Sequence, residues 1–135
     1  MDEKILVIDD EPEVLSCVVD LLRAEGLEPE GVSDSLMAAQ LIQERPFDLI
    51  LSDISMPNLT GLQLLALVKE RSPATEVIMF TGYDAPAWVE EALEHRAFAF
   101  IKKPFALDDL MGRVRQALWK RRVTKEKANR HPPEP

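Results

Sequence analysis

Four short, continuous apolar runs constrain the fold of this 135-residue chain more than any other feature of its sequence. They cover residues 5–8, 49–51, 77–80 and 98–101, and each is too short to form a helix. An unbroken apolar run is typical of a strand buried on both faces of a parallel sheet, whereas a strand with one solvated face alternates. Segments of helix length separate the runs. The sequence therefore predicts an α/β fold in which strands and helices alternate.

These intervening segments predict five helices. The first, residues 12–25, begins with Pro12, has apolar residues on one face and stops at Gly26. The others are expected at residues 35–45, 62–71, 87–95 and 107–122. A fifth strand is expected at residues 27–32, and Pro29 assigns it to a sheet edge because proline cannot donate to a hydrogen-bond ladder. The expected architecture is a doubly wound, five-stranded parallel sheet of order 2-1-3-4-5, flavodoxin-like, with helices on both faces.

The net charge of −8 is unevenly distributed along the chain. Residues 120–135 carry six Lys or Arg against two Glu, a net charge of +4, so residues 1–119 carry −12. An acidic body disfavours direct nucleic-acid binding, since that partner is itself a polyanion. We expect one folded domain over residues 3–122, followed by a basic, proline-ended tail or linker over residues 123–135.

Cys17 is the single cysteine of the chain, which excludes an intrachain disulfide and a cysteine-based metal cluster. We expect its side chain to be buried as a small apolar group on the first helix. The sequence shows neither a signal peptide nor an apolar run of membrane-spanning length. These features favour a cytoplasmic protein that makes no membrane contact.

Polar side chains follow four of the predicted strands at the point where each strand ends. They are Asp9, Asp10, Asp53, Thr81 and Lys103. In an open α/β sheet the carboxyl ends of the strands line the ligand crevice, and order 2-1-3-4-5 places the switch point between the first and third strands. We therefore expect the three aspartates to lie close together in that crevice.

Three carboxylates in one crevice repel each other and require a cation. One lysine does not offset three charges, and an all-oxygen donor set favours Mg²⁺, with Mn²⁺ or Ca²⁺ as alternatives. A divalent ion, Lys103 and the Thr81 hydroxyl together are suited to a phosphoryl group. The sequence has no glycine-rich phosphate loop and no serine nucleophile elbow, so the expected nucleophile is a carboxylate and its product an acyl phosphate.

Four motifs, in order between about residues 4 and 121, resemble the receiver domain of two-component response regulators, a CheY-like domain. Each motif is weak alone, and the acidic residues Asp9, Asp10 and Glu11 before Pro12 are also typical of a helix cap. Their combination and their spacing along the chain are specific to this family. The motifs are Asp9-Asp10, residues 53–61, Thr81-Gly82 and Lys103-Pro104-Phe105.

The resemblance implies that Asp53 is the phosphoacceptor. Asp10, Asp53 and the backbone carbonyl of Ser55 would bind Mg²⁺ directly, and Asp9 would act through water. Mn²⁺ is the expected substitute for Mg²⁺.

The resemblance also implies roles around the phosphoryl group. Thr81 and the backbone amide of Gly82 would contact its oxygens, and Lys103 would pair first with Asp53 and then with the phosphate. Thr81 and Phe100 would form the conformational switch. The other implied features are Ser55 and Tyr83 as residues that tune hydrolysis, and a cis peptide bond before Pro104.

The implied function is a phosphorylation-dependent signalling switch rather than an enzyme. Its phosphodonor would be a histidine kinase, a phosphotransfer protein or a small molecule. Its output domain or protein would be contacted through the fourth helix, fifth strand and fifth helix, and phosphorylation would favour a homodimer. Trp88 and Trp119 fall on those helices, where they are either packing residues or partner contacts.

Three alternative functions differ from this switch in their chemistry. A constitutive docking module would share the fold without being phosphorylated, which the complete set of five polar site residues disfavours. A phosphatase of the haloacid-dehalogenase type would need an Asp-x-Asp motif after the first strand, where this chain has Asp9-Asp10 and Glu11. An FMN carrier is disfavoured because the acidic loop after the first strand would repel the cofactor phosphate.

Overall fold

A computed structural model of the protein describes residues 3–82, 85–94 and 96–130. Its five strands are all parallel and follow the order β2-β1-β3-β4-β5, which confirms the predicted topology. The elements along the chain are β1 (Ile5–Ile8), α1 (Pro12–Ala24), β2 (Pro29–Val32), α2 (Ser35–Glu44), β3 (Leu49–Asp53), α3 (Gly61–Arg71), β4 (Glu76–Thr81), α4 (Ala87–Glu94), β5 (Ala99–Lys102) and α5 (Leu107–Arg130).

The sheet separates two apolar cores. Alternate residues of each central strand point to opposite faces, so Ile5 and Val7 of β1 join one core while Leu6 and Ile8 join the other. Helices α1 and α5 cover the first face, and α2, α3 and α4 cover the second. All residues of β1, β3 and β4 are buried, which explains why their sequences are continuous apolar runs.

Strand β2 forms one edge of the sheet, as its interrupted sequence predicts. Pro29 lies opposite Ile5 of β1, where its missing N–H leaves no central ladder position unpaired. The backbone amide of Asp9 donates to the carbonyl of Val32 at 3.2 Å, so pairing with the edge strand extends to the first residue after β1.

Cys17 is exposed, and the prediction that it is buried is wrong. The buried stripe of α1 is formed by Val18, Val19 and Leu22. Cys17 lies outside that stripe and lines a groove with Val14 and other residues near the end of β5.

Helix α5 continues to Arg130, beyond the end predicted near residue 122. Long-range ion pairs connect the helix to the domain on both sides of residue 122. Arg121 and Lys125 contact the buried carboxylate of Asp48, and Arg122 contacts Glu3. The division between domain and tail at residues 122 and 123 stays a prediction.

Across the described ranges, α5 included, no helix is both long and apolar enough to cross a bilayer.

We expect Asp48→Ala to lower the free energy of unfolding by about 3 kcal/mol near neutral pH, because Arg121 and Lys125 lose a buried partner. Burial raises the pKa of Asp48, but contacts from Lys125, the Lys4 amide and Arg121 outweigh it and lower the pKa. This stabilisation is therefore complete above the unfolded-state pKa of about 3.9 and is lost as pH falls through the folded-state value.

Denaturant unfolding of both proteins from neutral to acid pH measures this effect. The stability difference between wild type and Asp48→Ala should shrink in acid, and a constant difference would contradict the account. Glu30→Ala is the matched control, because its pair with Arg45 is exposed and is worth at most about 1 kcal/mol.

Candidate functional site

The structure brings Asp9, Asp10 and Asp53 together at the carboxyl ends of β1 and β3. One carboxylate oxygen from each lies within 4.8 Å of the others. The parallel register explains this proximity, because Ile8 lies opposite Ser52 and the next residue of each strand segment is an aspartate. Asp9 and Asp53 are buried, so water screens their repulsion poorly. The arrangement requires positive charge.

Lys103 supplies one positive charge to this crevice. Its Nζ lies 2.8 Å from Oδ2 of Asp9, 3.3 Å from Oδ2 of Asp53 and 3.2 Å from Oε1 of Glu11. Burial lowers the pKa of Lys103, but the hydrogen bond to Asp9 and the charges of Asp53 and Asp9 outweigh burial and raise it. The ammonium is therefore held in its charged form.

The Asp53 carboxyl has a raised pKa. Burial is the largest cause, and the neighbouring charge of Asp9 adds to it. Lys103 and a backbone hydrogen bond from Ser55 act in the opposite direction without cancelling the shift. A cation beside Asp53 would favour its ionised form, because it offsets both the loss of water and the repulsion.

Thr81 ends β4 next to Asp53, which pairs with Phe80 in the adjacent strand. The Thr81 side chain is fully buried, and its Oγ1 has no hydrogen-bond partner within the described part of the chain. A buried hydroxyl without a partner is costly and is expected to serve a ligand. The backbone carbonyl of Thr81 accepts a hydrogen bond from the Lys103 amide at 2.7 Å, which connects the ends of β4 and β5.

The other predicted site residues lie in the loops around the crevice or in β5. Ser55 is exposed and follows β3, and Gly82 is exposed at the end of β4. Phe100 is half-buried in β5 and packs against the core that α2, α3 and α4 cover. The peptide bond between Lys103 and Pro104 is cis. Tyr83 lies outside the described residues.

Sequence reasoning assigned Glu11 only to a helix cap, and the structure gives it another contact. Glu11 is the N-cap residue of α1, yet its side chain makes no capping hydrogen bond and instead contacts Lys103. Its backbone amide donates to Oδ1 of Asp9 at 2.9 Å. The Asp-Asp-Glu sequence was the available signal, but it did not show which of these carboxylates the lysine would reach.

The donor set fits a hard divalent cation such as Mg²⁺. Three carboxylates from two strand ends converge with the exposed loop that carries the carbonyl of Ser55, and no histidine or cysteine is among them. One ammonium leaves the crevice with excess negative charge. The unpartnered hydroxyl of Thr81 and the amide of Gly82 add hydrogen-bond donors of the kind that bind phosphoryl oxygens.

Comparisons with known proteins agree with this geometry. The family description "Response regulator receiver domain" matches residues 5–115. The response regulator protein PilR of Pseudomonas aeruginosa is 33% identical over 126 residues, which are 93% of this chain and 28% of PilR. The regulatory protein AtoC of Escherichia coli is 31% identical over 128 residues, 95% of this chain and 28% of AtoC. This chain thus spans less than a third of the length of these relatives.

Solved structures are similar over nearly the whole chain. A response regulator receiver domain protein from Clostridium thermocellum has a TM-score of 0.83 and 30% identity, and the match covers 90% of this chain and 98% of that one. NtrX from Brucella abortus has a TM-score of 0.86 and 30% identity over 99% of this chain and 31% of NtrX. The sheet order, the acidic crevice and these matches lead to one conclusion: this chain belongs to the family of response regulator receiver domains.

Proposed function

We propose that this chain is a signalling switch in which Asp53 accepts a phosphoryl group. The main support for this proposal is the composition of the crevice, where Asp53 lies beside Asp9, Asp10, Lys103 and the unpartnered hydroxyl of Thr81. The family is one of phosphorylation-based two-component signalling. The proposed donor is the phosphohistidine of a histidine kinase or phosphotransfer protein, or a small phosphodonor, and the proposed setting is the cytoplasm.

In the proposed reaction, a carboxylate oxygen of Asp53 attacks the phosphorus atom and forms an acyl phosphate. The bond from phosphorus to the donor breaks, and the donor leaves with the electron pair and takes up a proton. Lys103 neutralises charge on Asp53 before transfer and on the phosphoryl oxygens afterwards. The hydroxyl of Thr81 and the amide of Gly82 donate hydrogen bonds to those oxygens.

Mg²⁺, or Mn²⁺ in its place, belongs to the same proposal. Asp10, Asp53 and the Ser55 carbonyl would hold the ion directly, and Asp9 would contribute through water. The ion would supply positive charge that offsets the clustered carboxylates and the phosphoryl oxygens. Its binding is supported by the proximity of the three carboxylates and by the raised pKa of Asp53.

The proposed output is a change of the surface formed by α4, β5 and α5. Phosphorylation replaces the single carboxylate charge of Asp53 with a phosphoryl group that carries about −1.5 to −2 charge and new acceptor oxygens. Thr81 moves toward them, and Phe100 turns into the space that opens. The unpartnered hydroxyl and the half-buried ring of Phe100 support this sequence of events.

The chain would act on no separate substrate, so we class it as a signalling domain rather than an enzyme. The proposed partners at the output surface are an output domain or protein and, after phosphorylation, a second copy of the chain. Trp119 of α5 is 66% exposed and is available to such partners. The side chain of Trp88 lies outside the described residues.

A beryllofluoride phosphoryl mimic tests the switch without relying on phosphate lifetime. With Mg²⁺ present, we expect it to shift backbone amide NMR signals around Asp53 and also across α4, β5 and α5 in the wild type. Thr81→Ala should keep the shifts near Asp53 and lose those at the distant surface. Equal distant shifts in both proteins would contradict the switch.

A further inference from the structure

Ser35 connects α2 to the loop that follows the acidic crevice. Its side chain is buried, and its hydroxyl donates to the carbonyl of Pro57 at 2.7 Å. The same oxygen accepts from the amide of Leu59 at 3.1 Å. One hydroxyl therefore joins both ends of a three-residue turn that lies more than twenty residues further along the chain.

That turn has an unusual backbone conformation. The amide of Leu59 donates to the carbonyl of Pro57 at 3.0 Å, and the central residue Asn58 has a φ of 72°. This combination is typical of the strained form of the γ-turn, and a positive φ is uncommon for residues other than glycine. Such conformations persist when surrounding contacts hold them, and Ser35 provides two of those contacts.

The turn continues the segment that carries the proposed metal ligands. Asp53 ends β3, Ser55 follows two residues later and Pro57 two residues after that. The base of this loop is closed by a hydrogen bond from the Gly61 amide to the Ile54 carbonyl at 2.8 Å. With its base closed and its tip held by Ser35, the loop that carries Ser55 has little conformational freedom.

The hydroxyl of Ser35 is not used to cap its own helix. Asp34 is the N-cap residue of α2, and its side chain accepts a hydrogen bond from Leu36. The first helical backbone bond runs from the Ala38 amide to the Asp34 carbonyl. The contacts of Ser35 are thus directed to the neighbouring loop, although a serine at the start of a helix is usually interpreted as a cap.

We propose that Ser35 is a positioning residue for metal binding, which holds the 57–59 turn so that the Ser55 carbonyl faces the aspartates. The proposal rests on the proposed function, because it assigns Ser35 to the same Mg²⁺ site. Groups that orient metal ligands typically change metal affinity by about 10- to 100-fold when removed. Since Ser35 acts through backbone, we expect about a tenfold effect, at the lower end of that range.

The test is a Mg²⁺ titration of phosphoryl acceptance from a small acyl phosphate, with calorimetric Mg²⁺ binding as a second measurement. Ser35→Ala should raise the half-saturating Mg²⁺ concentration about tenfold while leaving the rate at saturating Mg²⁺ unchanged. Asp34→Ala is the matched control, because it removes the cap of α2 and keeps the Ser35 contacts. It should leave the half-saturating concentration unchanged.

The outcomes separate this inference from the proposed function. If the wild type binds no Mg²⁺, the proposed Mg²⁺ site is wrong, and the role of Ser35 is overturned with it. If the wild type binds and Ser35→Ala binds equally well, or loses only maximal rate, the positioning role is overturned. If Ser35→Ala does not fold, Ser35→Thr and Ser35→Val are compared instead. Threonine and valine have side chains of the same shape, and only threonine has a hydroxyl. The valine variant should then bind Mg²⁺ more weakly than the threonine variant, and equal binding would overturn the inference.

Discussion

Replacing Lys103 with methionine should slow phosphoryl acceptance by Asp53 by about 100- to 1000-fold, the usual cost of losing one charge-stabilising donor. The Lys103 ammonium lies 3.3 Å from Asp53 and is the cation that contacts both Asp53 and Asp9 in the described structure. Methionine retains most of the apolar side chain and removes the charge. The measurement is the rate of phosphorylation by a small acyl phosphate at saturating Mg²⁺.

The same substitution should lower the free energy of unfolding by about 3 kcal/mol without metal at near-neutral pH, because it leaves Asp9 and Asp53 buried without their counter-charge. Added Mg²⁺ should restore part of this loss, since a ligand that binds the folded state stabilises it. Denaturant unfolding with and without Mg²⁺ measures both effects.

Lys102→Met is the matched control for this prediction. Lys102 is the preceding residue, its side chain is mainly exposed, and it pairs with Glu90 of α4. Loss of an exposed pair costs at most about 1 kcal/mol, and the rate of phosphoryl acceptance should be unchanged. Near-normal phosphorylation of Lys103→Met, or an equal defect in Lys102→Met, would contradict the role of Lys103.

The second large effect is expected for Gly61→Ala at the start of α3. A Cβ at this position would lie 2.4 Å from the backbone oxygen of Asp53, 2.4 Å from Cε of Met79 and 2.8 Å from Cα of Ile54. Two of these neighbours are backbone atoms of the segment that carries Asp53, the proposed phosphoacceptor, so they cannot turn aside as a side chain could. We expect a loss of about 3 kcal/mol or more in unfolding free energy, together with weaker Mg²⁺ binding.

Gly112→Ala is a matched control with the opposite expected sign. Gly112 lies inside α5, and a Cβ there would meet nothing within 4 Å. Alanine is favoured over glycine in a helix interior by about 1 kcal/mol, so this variant should be more stable than the wild type. Thermal unfolding of both variants tests the pair. If Gly61→Ala were as stable as the wild type, the close approach of the Asp53 and Ile54 backbone to Gly61 would be contradicted.

The fold could be predicted because its main determinants are local. The buried central strands appear as continuous apolar runs, and Pro29 marks the edge strand because its missing donor excludes a central position. The crevice could be predicted for the same reason. Asp9 directly follows β1 and Asp53 is the last residue of β3, so the two must lie close together once these strands are neighbours in the sheet. Lys103 follows the edge strand β5 at the same end of the sheet, and its long side chain spans the remaining distance to both aspartates.

The features that could not be predicted depend on contacts between distant segments. The contact of Ser35 with residues 57 and 59 leaves no trace in either local pattern. The rising polarity after residue 122 suggested the end of α5, but the helix continues where Lys125 reaches Asp48. Cys17 is adjacent to the buried residues of α1, and the periodicity of the sequence alone did not decide whether its side chain is buried or exposed.

Intact-mass measurement after incubation with Mg²⁺ and a small acyl phosphate tests the central claim most directly. The wild type should gain the mass of one phosphoryl group, lose it again on treatment that cleaves acyl phosphates, and fail to gain it when Mg²⁺ is chelated. Asp53→Asn should gain nothing, because the amide is not a competent nucleophile. No labile gain by the wild type, or an equal gain by Asp53→Asn, would contradict the assignment of Asp53 as the phosphoacceptor.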